Sequence, residues 1–108
     1  MTQDKRPSGV LRFDNLVLNQ RAGEISVNGD THHLTPKECQ LLATFMQHPG
    51  ETLSRKFLMG RVWDTDFVED TRTIEVHVFW LRSKIEEDPG NPQLIKTVRG
   101  VGYVFSGE

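Results

Sequence analysis

The side chains best suited to recognising another molecule lie between Arg72 and Ser83. If this stretch is a helix, with about 100° per residue, its outward side holds a mixed set of side chains: Arg72, Thr73, Val76, Phe79, Trp80 and Ser83. Glu75 and Arg82 lie on one flank, and His77 and Lys84 on the other. Guanidinium and hydroxyl donors beside apolar groups match the major groove of DNA, where base edges offer acceptors and thymine offers a methyl group. A surface helix with scattered apolar residues is the alternative interpretation.

A helix from Asp70 to Ile85 would position these side chains. Ile74, Val78, Leu81 and Ile85 recur at helical spacing, so they share one face that is expected to be buried. The opposite face differs from an ordinary solvated helix face, which carries mostly Lys, Glu and Gln. We therefore predict that this outward face contacts another molecule.

The composition indicates one domain with locally charged surfaces. With 108 residues and 36% hydrophobic content, the chain can bury one modest core. A formal net charge of −2 argues against a strongly basic polyelectrolyte binder, so only local basic surfaces remain as candidate nucleic-acid sites. The single cysteine, Cys39, excludes an internal disulfide and fits a reducing compartment. Since no long apolar run or signal-peptide segment is found, we expect a cytoplasmic protein that does not bind membranes.

The N-terminal third predicts a tail and a small sheet. Residues 1–9 are polar and contain Pro and Gly, which indicates a flexible linker or tail before a domain spanning residues 10–108. Short β-prone runs follow: Val10–Phe13, Leu16–Leu18, Glu24–Val27 and Thr31–Leu34. Asn28-Gly29 predicts a two-residue hairpin turn, because both central residues of a type I′ turn need positive φ.

Two further helices are predicted before the recognition stretch. The first spans Pro36–Gln47, since Thr35 and Glu38 can form a capping box and His48-Pro49-Gly50 cannot continue a helix. The second begins after Ser54 and ends near Trp63, with four side chains expected inside: Phe57, Leu58, Val62 and Trp63. A loop over residues 64–69 leads to the third helix.

The C-terminal part predicts a hairpin. Glu86–Pro92 is acidic and rich in turn residues, so it ends the third helix. Leu94–Val98 and Tyr103–Phe105 are β-prone, and Gly100 and Gly102 between them can take positive φ. A sheet, three helices and a C-terminal hairpin make an α+β winged helix-turn-helix, in which the third helix enters the major groove and the hairpin forms a wing.

Signals for other chemistries are weaker. Gly100-Val101-Gly102 lacks the strand-to-helix context of a nucleotide loop, and His32-His33 would point to opposite strand faces. The acidic cluster of Asp64, Asp66, Glu69 and Asp70 lacks the EF-hand pattern. No motif for nucleophilic catalysis is found, and Cys39 lies on the apolar side of the first helix. We predict no enzymatic activity, no metal site and no cofactor.

Four segments match a known family in order and spacing: LTPKECQLL, LSRKFLMGRVW, EDTRTIEVHVFWLRSKIEEDP and IKTVRGVGYVF. Through them, nearly all of Val10 to Phe105 resembles the DNA-binding output domain of OmpR/PhoB-type two-component response regulators. The resemblance implies that tandem protomers bind direct-repeat promoter sites on double-stranded DNA and regulate transcription. It also implies a phosphorylated N-terminal receiver domain in the full-length protein. The loop before the third helix would be a candidate contact for RNA polymerase.

The resemblance also assigns roles to matching positions. The recognition helix would contact DNA through Arg72, Thr73, Val76, His77, Trp80 and Arg82. Arg55 and Trp63 would approach phosphates, and Thr97 with Arg99 would lie on the wing. These residue types suit the task, because the planar fork of arginine donates two hydrogen bonds at once, while Thr and Trp give single bonds to phosphate oxygens.

Phe79 departs from the family pattern, in which a polar or basic residue is common at this position. Three roles stay open for Phe79 within the predicted contact set: contact with a thymine methyl, packing on the wing, or contact with another protein. Trp80 is expected to be the more buried of the two rings, because it can reach toward the hairpin.

The rival interpretation is a winged helix that docks a protein through Val76, Phe79 and Trp80. DNA binding predicts that one set of cations converges on one face, whereas protein docking does not require it. That set is Arg55, Arg72, Arg82, Lys84, Lys96 and Arg99.

Overall fold

The structure is a computed structural model that describes residues 9–65 and 72–106. The predicted tail, apart from Gly9, and the segment 66–71 lie outside the described residues. In chain order the elements are β1 (Val10–Phe13), β2 (Leu16–Asn19), β3 (Glu24–Val27), β4 (Asp30–His33), α1 (Pro36–Gln47), β5 (Thr52–Ser54), α2 (Arg55–Val62), α3 (Arg72–Ile85), β6 (Ile95–Val98) and β7 (Gly102–Phe105). This order confirms the predicted α+β winged helix-turn-helix.

The N-terminal sheet is antiparallel, with the strand order β1-β2-β3-β4. Its buried side chains include Leu16, Leu18 and Ile25, which alternate with more exposed neighbours along β2 and β3. The predicted Asn28-Gly29 turn joins β3 to β4, and the two residues have φ values of 53° and 91°. Positive φ at both central positions is what a type I′ turn requires, so the hairpin prediction is confirmed.

α1 begins and ends at the predicted residues, and its N-terminal cap is complete. Thr35 Oγ1 accepts a hydrogen bond from the Glu38 N–H at 3.2 Å, and Glu38 Oε1 accepts one from the Thr35 N–H at 2.8 Å. Leu41, Leu42 and Phe45 are fully buried, and the helix packs against both α2 and α3. α1 therefore supports α3 from the core side.

Lys84 ties α3 to α1, so its predicted place among the converging cations is wrong. Its Nζ donates to Glu38 Oε1 at 2.9 Å and to the His33 carbonyl oxygen at 3.0 Å. Glu38 is only 2% exposed, and a buried carboxylate needs a cation or several donors. The flexible stem of the lysine reaches this carboxylate from the flank of α3. The positive charge of Lys84 is therefore paired with the buried carboxylate of Glu38.

α2 follows Ser54, whose Oγ accepts a hydrogen bond from the Phe57 N–H at 3.0 Å. The side chains buried on this helix are Leu58, Met59 and Val62. The prediction that Phe57 lies inside is wrong, because these residues define the inner face and the Phe57 ring falls outside it, 38% exposed. The ring packs edge-on against His48 and beneath the guanidinium of Arg61.

The C-terminal hairpin belongs to a three-stranded sheet, because β5 joins it in the order β5-β7-β6. β5 was not predicted, since three residues are too few to show strand periodicity. Gly100 has a φ of 76° in the hairpin turn, as its glycine predicts. Gly102 serves a different purpose: a Cβ at this position would overlap the Leu53 carbonyl oxygen, so glycine lets β7 approach β5 closely.

One hydrophobic core connects both sheets to the helices. Phe13 of β1 packs edge-on against Phe105 of β7, with ring centroids 4.8 Å apart. Cys39 is buried in the core as predicted, and burial raises the pKa of its thiol. Among the described residues, no helix has the length and apolar character needed to cross a membrane.

Candidate nucleic-acid interface

α3 presents its predicted outward face to solvent and its predicted inner face to the core. Ile74, Val78, Leu81 and Ile85 are buried. On the opposite side Val76, Phe79 and Trp80 are 42%, 62% and 43% exposed. The helical period of the sequence therefore identified both faces, and Trp80 is the more buried of the two aromatic residues, as expected.

A row of aromatic rings runs from the end of α2 across α3. Trp63, half-buried at the C-cap of α2, lies edge-on to His77, with ring centroids 5.1 Å apart. His77 lies the same distance from Trp80, one helical turn further along. Aromatic pairs at these separations attract each other beyond their burial. The neighbour recorded for the Trp80 ring is therefore His77, on the outward face of α3. From the sequence, we expected this ring to reach toward the hairpin.

The hydrogen bond made by His77 fixes the orientation of its ring. Nδ1 lies 2.7 Å from the carbonyl oxygen of Thr73. Because a carbonyl oxygen only accepts, Nδ1 carries the hydrogen, and Nε2 holds a lone pair in the neutral ring. Thr73 is half-buried, and Arg72 is exposed at the first described turn of α3.

Arg82 joins α3 to β6. Its Nε and Nη2 donate to the carbonyl oxygen of Ile95 at 3.0 and 2.7 Å, and Nη2 also donates to Thr97 Oγ1 at 3.0 Å. A guanidinium that forms a fork with a backbone carbonyl is held in one orientation. Arg82 was predicted among the DNA contacts, and the structure places its fork on the wing.

Two guanidinium groups lie over the ring of Tyr103. The Cζ of Arg55 is 5.4 Å from the centre of its ring, and the Cζ of Arg82 is 5.8 Å from it. Burial raises the pKa of the Tyr103 phenol, against the lowering effect of Arg55 and Arg82, so the phenol stays neutral near pH 7. Burial also lowers the pKa of Arg82, while Tyr103 and Glu86 act in the opposite direction. The start of α2, the end of α3 and β7 thus meet at one ring.

Glu86 fixes the start of the wing, a role not predicted from the sequence. Its carboxylate accepts hydrogen bonds from the N–H groups of Gln93, Leu94 and Ile95, at 2.8, 2.9 and 2.8 Å. The side chain is buried. A negative charge directly after α3 opposes the helix dipole. Glu87 and Asp88 carry the same charge after α3, so no signal in the sequence singles out Glu86.

The wing carries the remaining predicted residues. Thr97 is exposed on β6 and is held by Arg82. Arg99 is exposed in the turn after β6, next to Gly100. The structure therefore brings Arg55, Arg82 and Thr97 together around β6 and β7, and Arg99 follows at the tip.

Two sequence features could indicate a metal site: the His32-His33 pair and the acidic cluster of Asp64, Asp66, Glu69 and Asp70. Within residues 9–65 and 72–106, no group of three or more His, Cys, Asp or Glu side chains could hold a metal ion. His32 and His33 are both exposed, and His33 Nδ1 lies 3.8 Å from a carboxylate oxygen of Glu24. Three members of the acidic cluster, Asp66, Glu69 and Asp70, lie outside the described residues.

Most of this chain matches a known protein family. Residues 29–105 match the family described as "Transcriptional regulatory protein, C terminal". The chain belongs to that family. The chain is therefore a winged-helix effector domain of the OmpR/PhoB type, of the kind through which two-component response regulators bind DNA and regulate transcription.

Individual relatives agree with this membership. The sensory transduction protein RegX3 of Mycobacterium tuberculosis (strain H37Rv) is 48% identical over 99 residues, covering 92% of this chain and 44% of RegX3. The crystal structure of DrrB, a Thermotoga maritima OmpR/PhoB homologue, aligns with a TM-score of 0.79 and 29% identity, covering 92% of this chain and 45% of DrrB. The DNA-binding domain of CpxR from E. coli aligns with a TM-score of 0.77 and 34% identity, covering 90% of this chain and 95% of that domain. The chain thus spans less than half the length of RegX3.

Proposed function

We propose that this OmpR/PhoB-type domain binds double-stranded promoter DNA with sequence preference, as the output domain of a two-component response regulator. α3 would enter the major groove, and the wing would reach the neighbouring backbone or minor groove. The observation that carries the proposal is the Arg82 fork, which joins the flank of α3 to β6. It holds the two elements as one unit, as simultaneous contact with adjacent grooves requires.

The proposed contacts divide into those that position the domain and those that read bases. Arg55, Trp63, His77, Thr97 and Arg99 would approach the backbone or the minor groove. Arg72, Thr73, Val76, Phe79 and Trp80 would face the base edges. Arg82 would serve the interface mainly by holding the wing.

The whole protein's partners extend this proposal. The resemblance supports an N-terminal receiver domain whose phosphorylation regulates binding, and it supports tandem protomers on direct-repeat sites. A contact with RNA polymerase is proposed for the loop before α3, whose residues 66–71 lie outside the described residues. Residues 1–9 would act as the linker between the two domains. The whole protein would be located in the cytoplasm.

The DNA affinity is expected to fall steeply with salt, despite the net charge of −2. Each phosphate neutralised by a cation contributes about −0.9 to the slope of log affinity against log salt. If Arg55, Lys96 and Arg99 each neutralise one phosphate, the expected slope is about −2.7. Electrophoretic shifts at several salt concentrations, on a duplex selected from a random pool and on its scrambled version, measure the slope and the sequence preference together. A flat response would instead favour the protein-docking rival.

Arg99→Ala is expected to weaken DNA binding by about 1–3 kcal/mol, because a guanidinium at the wing tip can enter a narrow minor groove or hold a phosphate. The side chain is exposed beside Gly100, so the fold should not need it. Thermal melts and fluorescence anisotropy on the selected duplex check both points. Arg21→Ala, which removes an exposed arginine from the N-terminal sheet region, is the control and should retain full affinity. A large loss of stability in Arg99→Ala would contradict the wing assignment.

A further inference from the structure

The outward face of α3 carries a continuous apolar strip formed by Val76, Phe79 and Trp80. These residues are spaced by three and four positions, so their side chains are neighbours on the helix surface. Phe79 is 62% exposed, which excludes the role of packing under the wing. Burying an exposed aromatic ring is favourable, so the strip is suited to contact with an apolar group on a ligand.

The polar groups beside the strip are engaged within the fold. Ser83 Oγ donates to the carbonyl oxygen of Phe79 at 3.0 Å, and Nδ1 of His77 donates to Thr73 at 2.7 Å. The Arg82 fork is held by Ile95 and Thr97. Guanine and adenine are usually read by side chains that form two hydrogen bonds with one base. The middle of this face therefore does not present such a pair of donors.

We propose that Phe79, flanked by Val76 and Trp80, reads the 5-methyl groups of pyrimidines in the major groove. Thymine carries this methyl, and 5-methylcytosine presents the same group at the same position of the groove. The inference rests on the proposed DNA binding and specifies the bases that the domain prefers. DNA is the occupant that the surroundings favour, because Arg82 of the same helix is hydrogen-bonded to β6 of the wing, where the cations Lys96 and Arg99 are exposed.

Replacement of thymine by uracil tests the proposal at the level of one methyl group. The probe is a duplex selected by the protein from a random pool, with each thymine replaced singly by uracil. We expect one or two replacements to weaken binding by about three- to tenfold, as burial of a methyl-sized apolar group implies. At the same position, cytosine should bind weakly and 5-methylcytosine should regain part of the affinity.

Phe79→Ala should abolish the difference between thymine and uracil at those positions. Its free energy of unfolding should change little, because the ring is exposed. Phe57→Ala is the matched control: it removes another exposed phenylalanine, from α2, and should keep the uracil effect in full.

The outcomes separate this inference from the proposed function. Salt-dependent binding of the selected duplex without any uracil effect would overturn methyl reading and leave DNA binding intact, and it would point to a protein as the occupant of the strip. An equal uracil effect in wild type and Phe79→Ala would overturn the assignment to Phe79. If the domain selects no duplex from the pool, the proposed function itself fails.

Discussion

Glu86→Ala is expected to lower the free energy of unfolding by about 3–5 kcal/mol, because it leaves three backbone donors without an acceptor, two of them part-buried and that of Ile95 buried. The carboxylate accepts hydrogen bonds from the N–H groups of Gln93, Leu94 and Ile95. Hydrogen bonds to a charged acceptor are stronger than neutral ones, and unsatisfied buried donors pay the full cost of desolvation. Urea unfolding followed by tryptophan fluorescence measures the change.

Glu87→Ala provides the control for this experiment. Glu87 is the next residue, is exposed, and loses the same charge on substitution. Its free energy of unfolding should change by less than about 0.5 kcal/mol. Glu86→Gln should fall between the two, since the amide retains one acceptor oxygen but turns a donor toward the backbone N–H groups. Equal stability of Glu86→Ala and Glu87→Ala would show that Glu86 does not anchor the wing.

Arg82→Gln is expected to weaken DNA binding by about 1.5–2.5 kcal/mol, because the wing loses the fork that holds it against α3. If Arg82 acts through the wing, this loss must overlap with that caused by Arg99→Ala. We therefore expect the double variant to bind better than the sum of the single losses predicts, with a coupling of about 1 kcal/mol or more. Affinities of the four proteins for one selected duplex, at one salt concentration, give the coupling.

Two further variants serve as comparisons for this double-mutant experiment. Arg12→Gln removes an exposed arginine from β1, and its effect should be small and should add to that of Arg99→Ala. Arg82→Lys keeps the charge but not the planar fork, so it should recover only part of the affinity. Losses that add between Arg82→Gln and Arg99→Ala would instead assign Arg82 an independent contact with DNA.

Local patterns in the sequence determined the elements with complete signals. α1 is fixed at its N-terminus by Thr35 and Glu38, whose side chains satisfy each other's backbone N–H groups. The Asn28-Gly29 turn likewise contains the positive φ angles that its hairpin needs. The two faces of α3 follow from helical period alone, because its apolar residues recur over the length of the helix.

Weaker local patterns led to errors that packing explains. The eight residues of α2 are too few to define a face by period, so Phe57 was placed inside and Met59 was overlooked. β5 exists because β7 lies beside it, and Gly102 permits that approach by having no side chain. Both β7 and Gly102 are distant from β5 in the sequence, so the local pattern around β5 could not reveal the pairing.

The residue types and their family resemblance determined the candidate contact face and the wing from the sequence alone, whereas the direction of each long charged side chain was decided by the tertiary structure. Lys84 and Arg82 both lie on the flanks of α3, yet Lys84 turns to the buried carboxylate of Glu38 and Arg82 to the carbonyl of Ile95. Glu86 turns to the backbone of the approaching wing. The physical reason is that a flexible charged side chain adopts the orientation in which a buried partner compensates its desolvation, and these partners come from elements distant in the sequence.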